Sequence, residues 1–138
     1  MLTGDVEVRP KILLAEDHLA FRSLLAEQLR AEGYDVIEVS DQDGLFSEIA
    51  RATSDEDNPR APDLIMADLR LPAEVGFEAL ARLRAVDRRT PFVLLTSFGD
   101  DRTRRLAMEL GADAVVDKPT SLLALIALVK RLVPVVLV

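Results

Sequence analysis

The sequence predicts a doubly wound α/β domain, which is a parallel sheet with helices on both of its faces. Five short apolar runs alternate along the chain with five segments of helical periodicity. Four of these runs are almost entirely apolar, as is typical of strands that are covered on both faces. There is no glycine-rich GxGxxG or GxxxxGK[ST] loop. The common nucleotide-binding forms of this class are therefore not supported.

The strands are predicted where apolar runs end in polar residues or turns. The second run carries Asp35 and Glu38, which favours an edge position for that strand. An alternation of strands and helices along the chain is typical of a parallel sheet. The five predicted strands are 11–15, 35–39, 64–68, 92–97 and 114–117.

The helices are predicted from apolar stripes and from their end signals. Gly33 and Gly111 suit the ends of the first and fourth helices, and Pro134 stops the fifth. Asp100 or Asp101 suits the start of the fourth. The five predicted helices are 19–32, 42–52, 77–86, 101–110 and a last one from residue 120 or 121 to about 133.

The chain length fits one domain. Its 138 residues, 49% of them hydrophobic, suffice for a single core. We expect an N-terminal arm at 1–10, the folded domain at 11–133 and an apolar tail at 134–138. The polar segment 53–62 carries four acids or amides and two prolines, and its composition predicts an exposed loop.

Composition and charge exclude several classes of function. The net charge of −7 and the isoelectric point near 4.7 oppose nonspecific binding of nucleic acid by this domain. Cysteine is absent, so disulfide and thiol chemistry are excluded. No charge-free run is long enough to span a bilayer, and the N-terminus lacks the features of a signal peptide. We expect a cytoplasmic protein without a membrane contact.

Polar residues follow four of the predicted strands. Because the carboxyl ends of parallel strands share one edge, we expect these side chains to meet there: Glu16, Asp17, Asp68, Thr96 and Lys118. Three close carboxylates repel one another unless a cation neutralises them, and an all-oxygen set favours Mg²⁺. A lysine and a hydroxyl opposite them suit a phosphoryl group. Asp68 considered alone would more often be a turn or helix-cap residue.

Four motifs in order give the chain a recognisable family pattern. Together they resemble the response-regulator receiver domain of two-component signalling, the CheY-like superfamily, over about residues 10–133. The resemblance implies a flavodoxin-like sheet of strand order 2-1-3-4-5. The motifs are Leu-Leu-Ala-Glu-Asp (13–17), Asp-Leu-Arg-Leu-Pro (68–72) with Gly76 downstream, Leu-Leu-Thr-Ser (94–97) and Gly-Ala-Asp-Ala-Val-Val-Asp-Lys-Pro (111–119).

The resemblance also implies residue roles. Asp68 would accept a phosphoryl group from a sensor histidine kinase, a phosphotransfer protein or a small phosphodonor. Thr96 and Lys118 would bind that group, and the Lys118-Pro119 peptide is typically cis in the family. The implied shell of the Mg²⁺ ion is Glu16, Asp17, Asp68 and the backbone carbonyl of Arg70.

The chain departs from the family pattern at a few places. Val115 stands where the family often has an aromatic switch residue, so reporting of phosphorylation by a rotating ring is not expected. Arg70 and Phe98 lie two residues after Asp68 and Thr96, at positions that in the family tune the lifetime of the phosphoryl group. We expect these two side chains to shield the site.

The last helix is apolar almost all round, which indicates cover on more than one side. Together with the tail 134–138, it predicts a homodimer contact or an output-protein contact. The candidate interface residues are Leu122, Leu125, Ile126 and Val129.

The sequence is also compatible with two other functions. A pseudo-receiver would keep the fold and act as a binding or scaffold module without phosphorylation. A phosphohydrolase would turn over an aspartyl phosphate, yet such enzymes usually carry an acid two residues after the nucleophile, where this chain has Arg70. Otherwise we expect no enzyme activity beyond self-catalysed transfer to Asp68 and its reversal by hydrolysis. His18 is interpreted as a surface residue at the helix start.

Overall fold

A five-stranded parallel sheet forms the centre of the protein. The computed structural model describes residues 7–53, 61–68, 73–87, 89–97, 100–118 and 120–137. The sheet order is β3-β2-β4-β5-β6, which is 2-1-3-4-5 when only these five strands are counted. Both the doubly wound fold class and the strand order expected from the sequence are confirmed.

The elements follow the predicted alternation closely. No helix in the described ranges has the length and apolar character needed to cross a membrane. The elements are β1 (Glu7–Val8), β2 (Lys11–Glu16), α1 (Leu19–Ala31), β3 (Asp35–Val39), α2 (Gln42–Thr53), β4 (Leu64–Asp68), α3 (Ala73–Val86), β5 (Phe92–Thr96), α4 (Asp101–Glu109), β6 (Ala114–Asp117), α5 (Leu122–Leu132) and β7 (Val136–Leu137).

The core has two halves, one on each face of the sheet. Successive strand residues point to opposite faces, so Ile12 and Leu14 join the half that contains α1 and α5. Leu13 and Ala15 join the half that contains α2, α3 and α4. All four are completely buried. This is why the three central strands β2, β4 and β5 are apolar without alternation and carry polar residues only at their ends.

Short polar side chains fix the helix starts. His18, Asp100 and Ser121 accept hydrogen bonds from backbone N–H groups in the first turns of α1, α4 and α5. Gly33 and Gly111 follow α1 and α4 with φ values of 102° and 103°, which glycine adopts without strain. The predicted ends of these helices are therefore correct to within one or two residues.

The start of α3 differs from the prediction. The sequence predicted a helix from about 77, whereas α3 begins at Ala73. Gly76 is buried at the end of its first turn, and a Cβ added there would lie 2.6 Å from Leu94 Cδ1. The glycine thus allows α3 to approach β5 closely.

The two ends of the described chain pair with each other. β1 and β7 form an antiparallel ribbon in which Glu7 pairs with Leu137 and Val8 with Val136. The sequence did not predict this ribbon, since two-residue strands give no periodic signal. Its consequence is that part of the expected arm and of the expected tail belongs to one small sheet.

The expected interface on α5 is wrong for most of its residues. Leu125, Ile126 and Val129 are 1%, 6% and 0% exposed and pack in the core with α1, and Leu122 is partly buried against them. They face the sheet because α5 lies directly on it. Leu123, at 82% exposed, is the large apolar side chain that α5 presents to solvent.

Some predictions fall on residues outside the described ranges. These are the roles of Arg70 and Phe98, the peptide at Pro119, and positions 54–60 of the acidic segment, and they stay predictions.

Tyr34 joins the end of α5 to the turn after α1. Its side chain is fully buried, and its hydroxyl donates to the Val133 carbonyl over 2.6 Å. Burial, with the Glu32 charge nearby, raises the pKa of Tyr34, so the phenol remains a donor throughout the neutral range. We predict that Tyr34→Phe lowers the free energy of unfolding by about 1 kcal/mol, because the Val133 carbonyl loses this hydrogen bond.

Urea unfolding monitored by circular dichroism measures this loss as a lower midpoint at an unchanged slope. An unchanged midpoint would show that the hydroxyl contributes nothing to holding α5.

Candidate functional site

The candidate site lies at the carboxyl ends of four neighbouring strands. Glu16 ends β2 and Asp68 ends β4, and the two residues pair in the β2–β4 register. Thr96 ends β5, and its carbonyl accepts a hydrogen bond of 2.8 Å from the Lys118 backbone N–H just after β6. Sheet pairing alone therefore brings together four of the residues that the sequence indicated.

Lys118 is the charged centre of this group. Its ammonium forms an ion pair with the Asp68 carboxylate and lies 3.5 Å from Glu16 Oε1. The Glu16 and Asp68 residues are 1% and 5% exposed, whereas the Lys118 side chain retains 24% exposure. The ammonium also lies 4.8 Å from the centre of the Phe21 ring, a favourable cation–π contact. A single lysine thus contacts two buried acids and still reaches solvent.

The protonation of Glu16 is strongly perturbed. Burial is the largest cause, and with the adjacent Asp68 carboxyl it raises the pKa of Glu16 to about 8, although Lys118 opposes the shift. Burial disfavours the charged form of Lys118, but its hydrogen bond to Asp68 and the two nearby acids outweigh this effect and raise its pKa. The site thus holds a permanent cation beside one carboxyl that retains a proton near neutral pH.

The expected cluster of three carboxylates is not formed. Within the described residues, no three His, Cys, Asp or Glu side chains come close enough together to hold a metal ion. Asp17 is half-buried in the bend after β2. Lys118 pairs with the other two acids instead, because an ammonium is the nearest charge that can offset their repulsion.

The turn between β2 and α1 is held by several hydrogen bonds around Asp17. The His18 N–H donates to Glu16 Oε1 over 3.2 Å, and His18 Nδ1 accepts from the Phe21 N–H over 3.2 Å. Arg22 Nη1 donates to the Glu16 carbonyl over 2.9 Å. The interpretation of His18 as an exposed residue at the helix start is correct, and it caps the helix.

Thr96 and Val115 lie where the sequence placed them. Thr96 is 8% exposed at the end of β5, and Val115 packs partly buried against the core half of α2, α3 and α4. Asp117, which precedes Lys118, forms an ion pair with Arg104 of α4.

The side chains at this edge of the sheet are of the chemical types that bind a hard divalent cation. The donors are carboxylate oxygens with no histidine or cysteine among them, which is the set that Mg²⁺ prefers. Glu16 Oε2 is buried, and no N–H or hydroxyl of the described residues donates to it. Its raised pKa marks a place where added positive charge would be stabilising.

An open groove gives access to Lys118. Phe21, Ser97 and Thr120 line it together with the lysine. Ser97 is exposed there, so the small residue after Thr96 leaves the lysine open to solvent. A ligand that approaches along this groove meets an ammonium, two hydroxyls and an aromatic ring.

Sequence reasoning missed Phe21, Arg22 and Asp117 as parts of this site. None of the three was singled out as a candidate site residue from the sequence. The signal was present for Phe21 and Arg22, since residues four and five positions after Asp17 fall within the first turn and a half of α1.

Comparison with known proteins places the chain in a large family. The family described as response regulator receiver domain matches residues 12–130. The transcriptional regulatory protein CpxR of Klebsiella pneumoniae is 34% identical over 122 residues, which cover 88% of this chain and 48% of CpxR. The transcriptional regulatory protein PdtaR of Mycobacterium tuberculosis is 32% identical over 123 residues, covering 89% of this chain and 56% of PdtaR. The chain thus spans about half the length of these curated relatives.

A solved structure shows the same fold. The signal receiver domain of a Luxo repressor protein from Vibrio parahaemolyticus superposes with a TM-score of 0.76 at 26% identity, over 91% of this chain and 90% of that one. The sheet order, the polar strand ends and the family match over most of the chain agree. The chain therefore belongs to the response regulator receiver domain family of two-component signalling.

Proposed function

We propose that this domain accepts a phosphoryl group on Asp68, and that the phosphoryl state of Asp68 regulates what the domain contacts. The donor is the phosphohistidine of a sensor histidine kinase or phosphotransfer protein, or a small phosphodonor. The family supports a regulatory role rather than that of a turnover enzyme. The absence of cysteine suits the reducing cytoplasm in which such donors act.

The observation that supports this proposal most strongly is the position of Lys118. It forms an ion pair with a buried carboxylate at a strand end and is reached from solvent by an open groove. A buried pair of this kind contributes little stability compared with an apolar core. The arrangement is better explained by chemistry in which the lysine pairs with phosphoryl oxygens as they arrive.

The transfer requires only positioning and charge. An ionised Asp68 oxygen attacks the phosphorus, and the bond from phosphorus to the donor nitrogen or oxygen breaks, with the electron pair leaving on the donor. Lys118 stays beside the transferred oxygens, and Thr96 supplies a hydroxyl donor. Mg²⁺, when bound by Glu16, Asp17, Asp68 and the carbonyl of Arg70, would supply positive charge to the phosphoryl group.

Partner contacts are proposed to respond to this event. Leu123 offers an exposed apolar side chain on α5, so a homodimer or output-protein contact through the last helix would use this outward side. The inward side of α5 is already occupied by the core.

The direct experiment is an intact-mass measurement. We predict that acetyl phosphate or phosphoramidate with Mg²⁺ adds one phosphoryl group to the protein, because Asp68 is the buried acid that Lys118 approaches more closely. Addition should be absent when Mg²⁺ is chelated and in Asp68→Asn. Glu78→Gln is the matched control, since this exposed acid of α3 pairs with Arg82 away from the site.

No addition to the folded wild-type protein would contradict the proposal and favour the pseudo-receiver. Equal addition to Asp68→Asn would place the acceptor elsewhere.

The pH dependence of Mg²⁺ affinity offers a second prediction. A metal ligand must lose its proton, and Glu16 holds one below its pKa of about 8. The apparent affinity should therefore rise about tenfold per pH unit up to that value and then level off, since one proton is released per ion bound. Calorimetric titration across this range measures it.

Glu16→Gln is the control, because its amide side chain does not titrate. The Mg²⁺ affinity of this variant should be weaker than that of the wild type and should vary much less with pH. A wild-type affinity that is the same on both sides of the Glu16 pKa would contradict the assignment of Glu16 to the ion.

A further inference from the structure

We propose that Arg22 is a positioning residue that holds the carboxyl end of β2, and with it Glu16 and Asp17, in the geometry required to bind Mg²⁺. The inference rests on the proposed function and extends it to a side chain outside the ligand set. Arg22 touches neither the acceptor nor the proposed ion. It acts through the backbone of Glu16.

Arg22 connects the end of β2 to the first turns of α1. Its Nη1 donates to the Glu16 carbonyl over 2.9 Å, while its own backbone N–H donates to the His18 carbonyl over 2.9 Å. Asp17 lies between these two attachments. The guanidinium therefore closes a short loop around Asp17, one of the predicted metal ligands.

The carboxylate of Glu38 orients the Arg22 guanidinium. Arg22 Nε lies 3.4 Å from Glu38 Oε1 on β3, the neighbouring strand, and the Arg22 side chain is only 15% exposed. With one N–H group on a carboxylate and another on a carbonyl, the planar fork has a fixed direction. The Glu16 carbonyl thus receives a charge-assisted hydrogen bond, stronger than a neutral one.

The effect expected of this bond is on ligand orientation. Groups that hydrogen-bond to metal ligands without touching the metal commonly change metal affinity by about 10- to 100-fold when they are removed. Arg22 holds the peptide that joins Glu16 to Asp17, so its loss would let both carboxylates leave the orientation that binds the ion.

Arg30 provides a matched control. It shares Glu38 with Arg22, through Nη2 and Glu38 Oε2 at 3.1 Å, and also donates to a backbone carbonyl, that of Val36, over 3.0 Å. It lies on the same helix but has no contact with the β2–α1 turn among its described hydrogen bonds. Arg22→Gln and Arg30→Gln thus remove similar interactions from the same edge of the domain.

The test measures Mg²⁺ affinity by calorimetry and the rate of acetyl-phosphate labelling across Mg²⁺ concentrations. Arg22→Gln should weaken Mg²⁺ binding about tenfold, with labelling restored toward the wild-type rate when Mg²⁺ is saturating. Arg30→Gln should bind Mg²⁺ as the wild type does. Arg22→Lys, which can still donate to the Glu16 carbonyl, should recover most of the affinity.

Thermal unfolding of each variant separates positioning from folding. Equal loss of thermal stability in the two glutamine variants, with unchanged Mg²⁺ affinity in both, would overturn the inference and leave Arg22 a structural residue. If Arg22→Gln does not fold, Glu38→Gln removes the acid that orients the guanidinium, and a wild-type Mg²⁺ affinity in that folded variant would overturn the inference instead. If the wild-type protein is never labelled by acetyl phosphate, the proposed function is contradicted. If the wild type is labelled and Arg22→Gln has the same Mg²⁺ affinity and the same labelling rate as the wild type, only this inference is contradicted.

Discussion

The ion pair between Lys118 and Asp68 is the interaction on which the account of the site depends. Two acids, Glu16 and Asp68, are buried side by side at neighbouring strand ends, where their mutual repulsion and loss of hydration are unfavourable. The Lys118 ammonium and the proton that Glu16 retains reduce this repulsion and the cost of the lost hydration. The same balance makes it responsive, since a phosphoryl group or a cation that enters the site must redistribute these charges.

The fold positions this pair with few residues. The β2–β4 register places Glu16 opposite Asp68, and the backbone bond from Lys118 to Thr96 ties the end of β6 to the end of β5. The two apolar halves of the core pack on the faces of the sheet behind these ends.

Most of the fold could be predicted because its signals are local. Apolar runs mark the strands, and Gly33, Gly111 and the capping residues mark helix ends within a few positions. What could not be predicted depends on long-range pairing, as in the ribbon of β1 and β7. Leu125 and Val129 were wrongly assigned to an interface because an apolar helix does not itself reveal which side meets the sheet. The site residues were predicted as a set, but the pairing of Lys118 with Glu16 and Asp68 depends on side-chain geometry that spacing does not encode.

A double-mutant cycle on the free energy of urea unfolding tests the ion pair most directly. Lys118→Met leaves two buried acids without their cation, so Asp68→Asn should be less destabilising, or even stabilising, in that background than in the wild type. The account predicts a coupling energy of at least about 1 kcal/mol between the two positions. Effects that add to within about 0.5 kcal/mol would contradict it, because independent sites behave in that way.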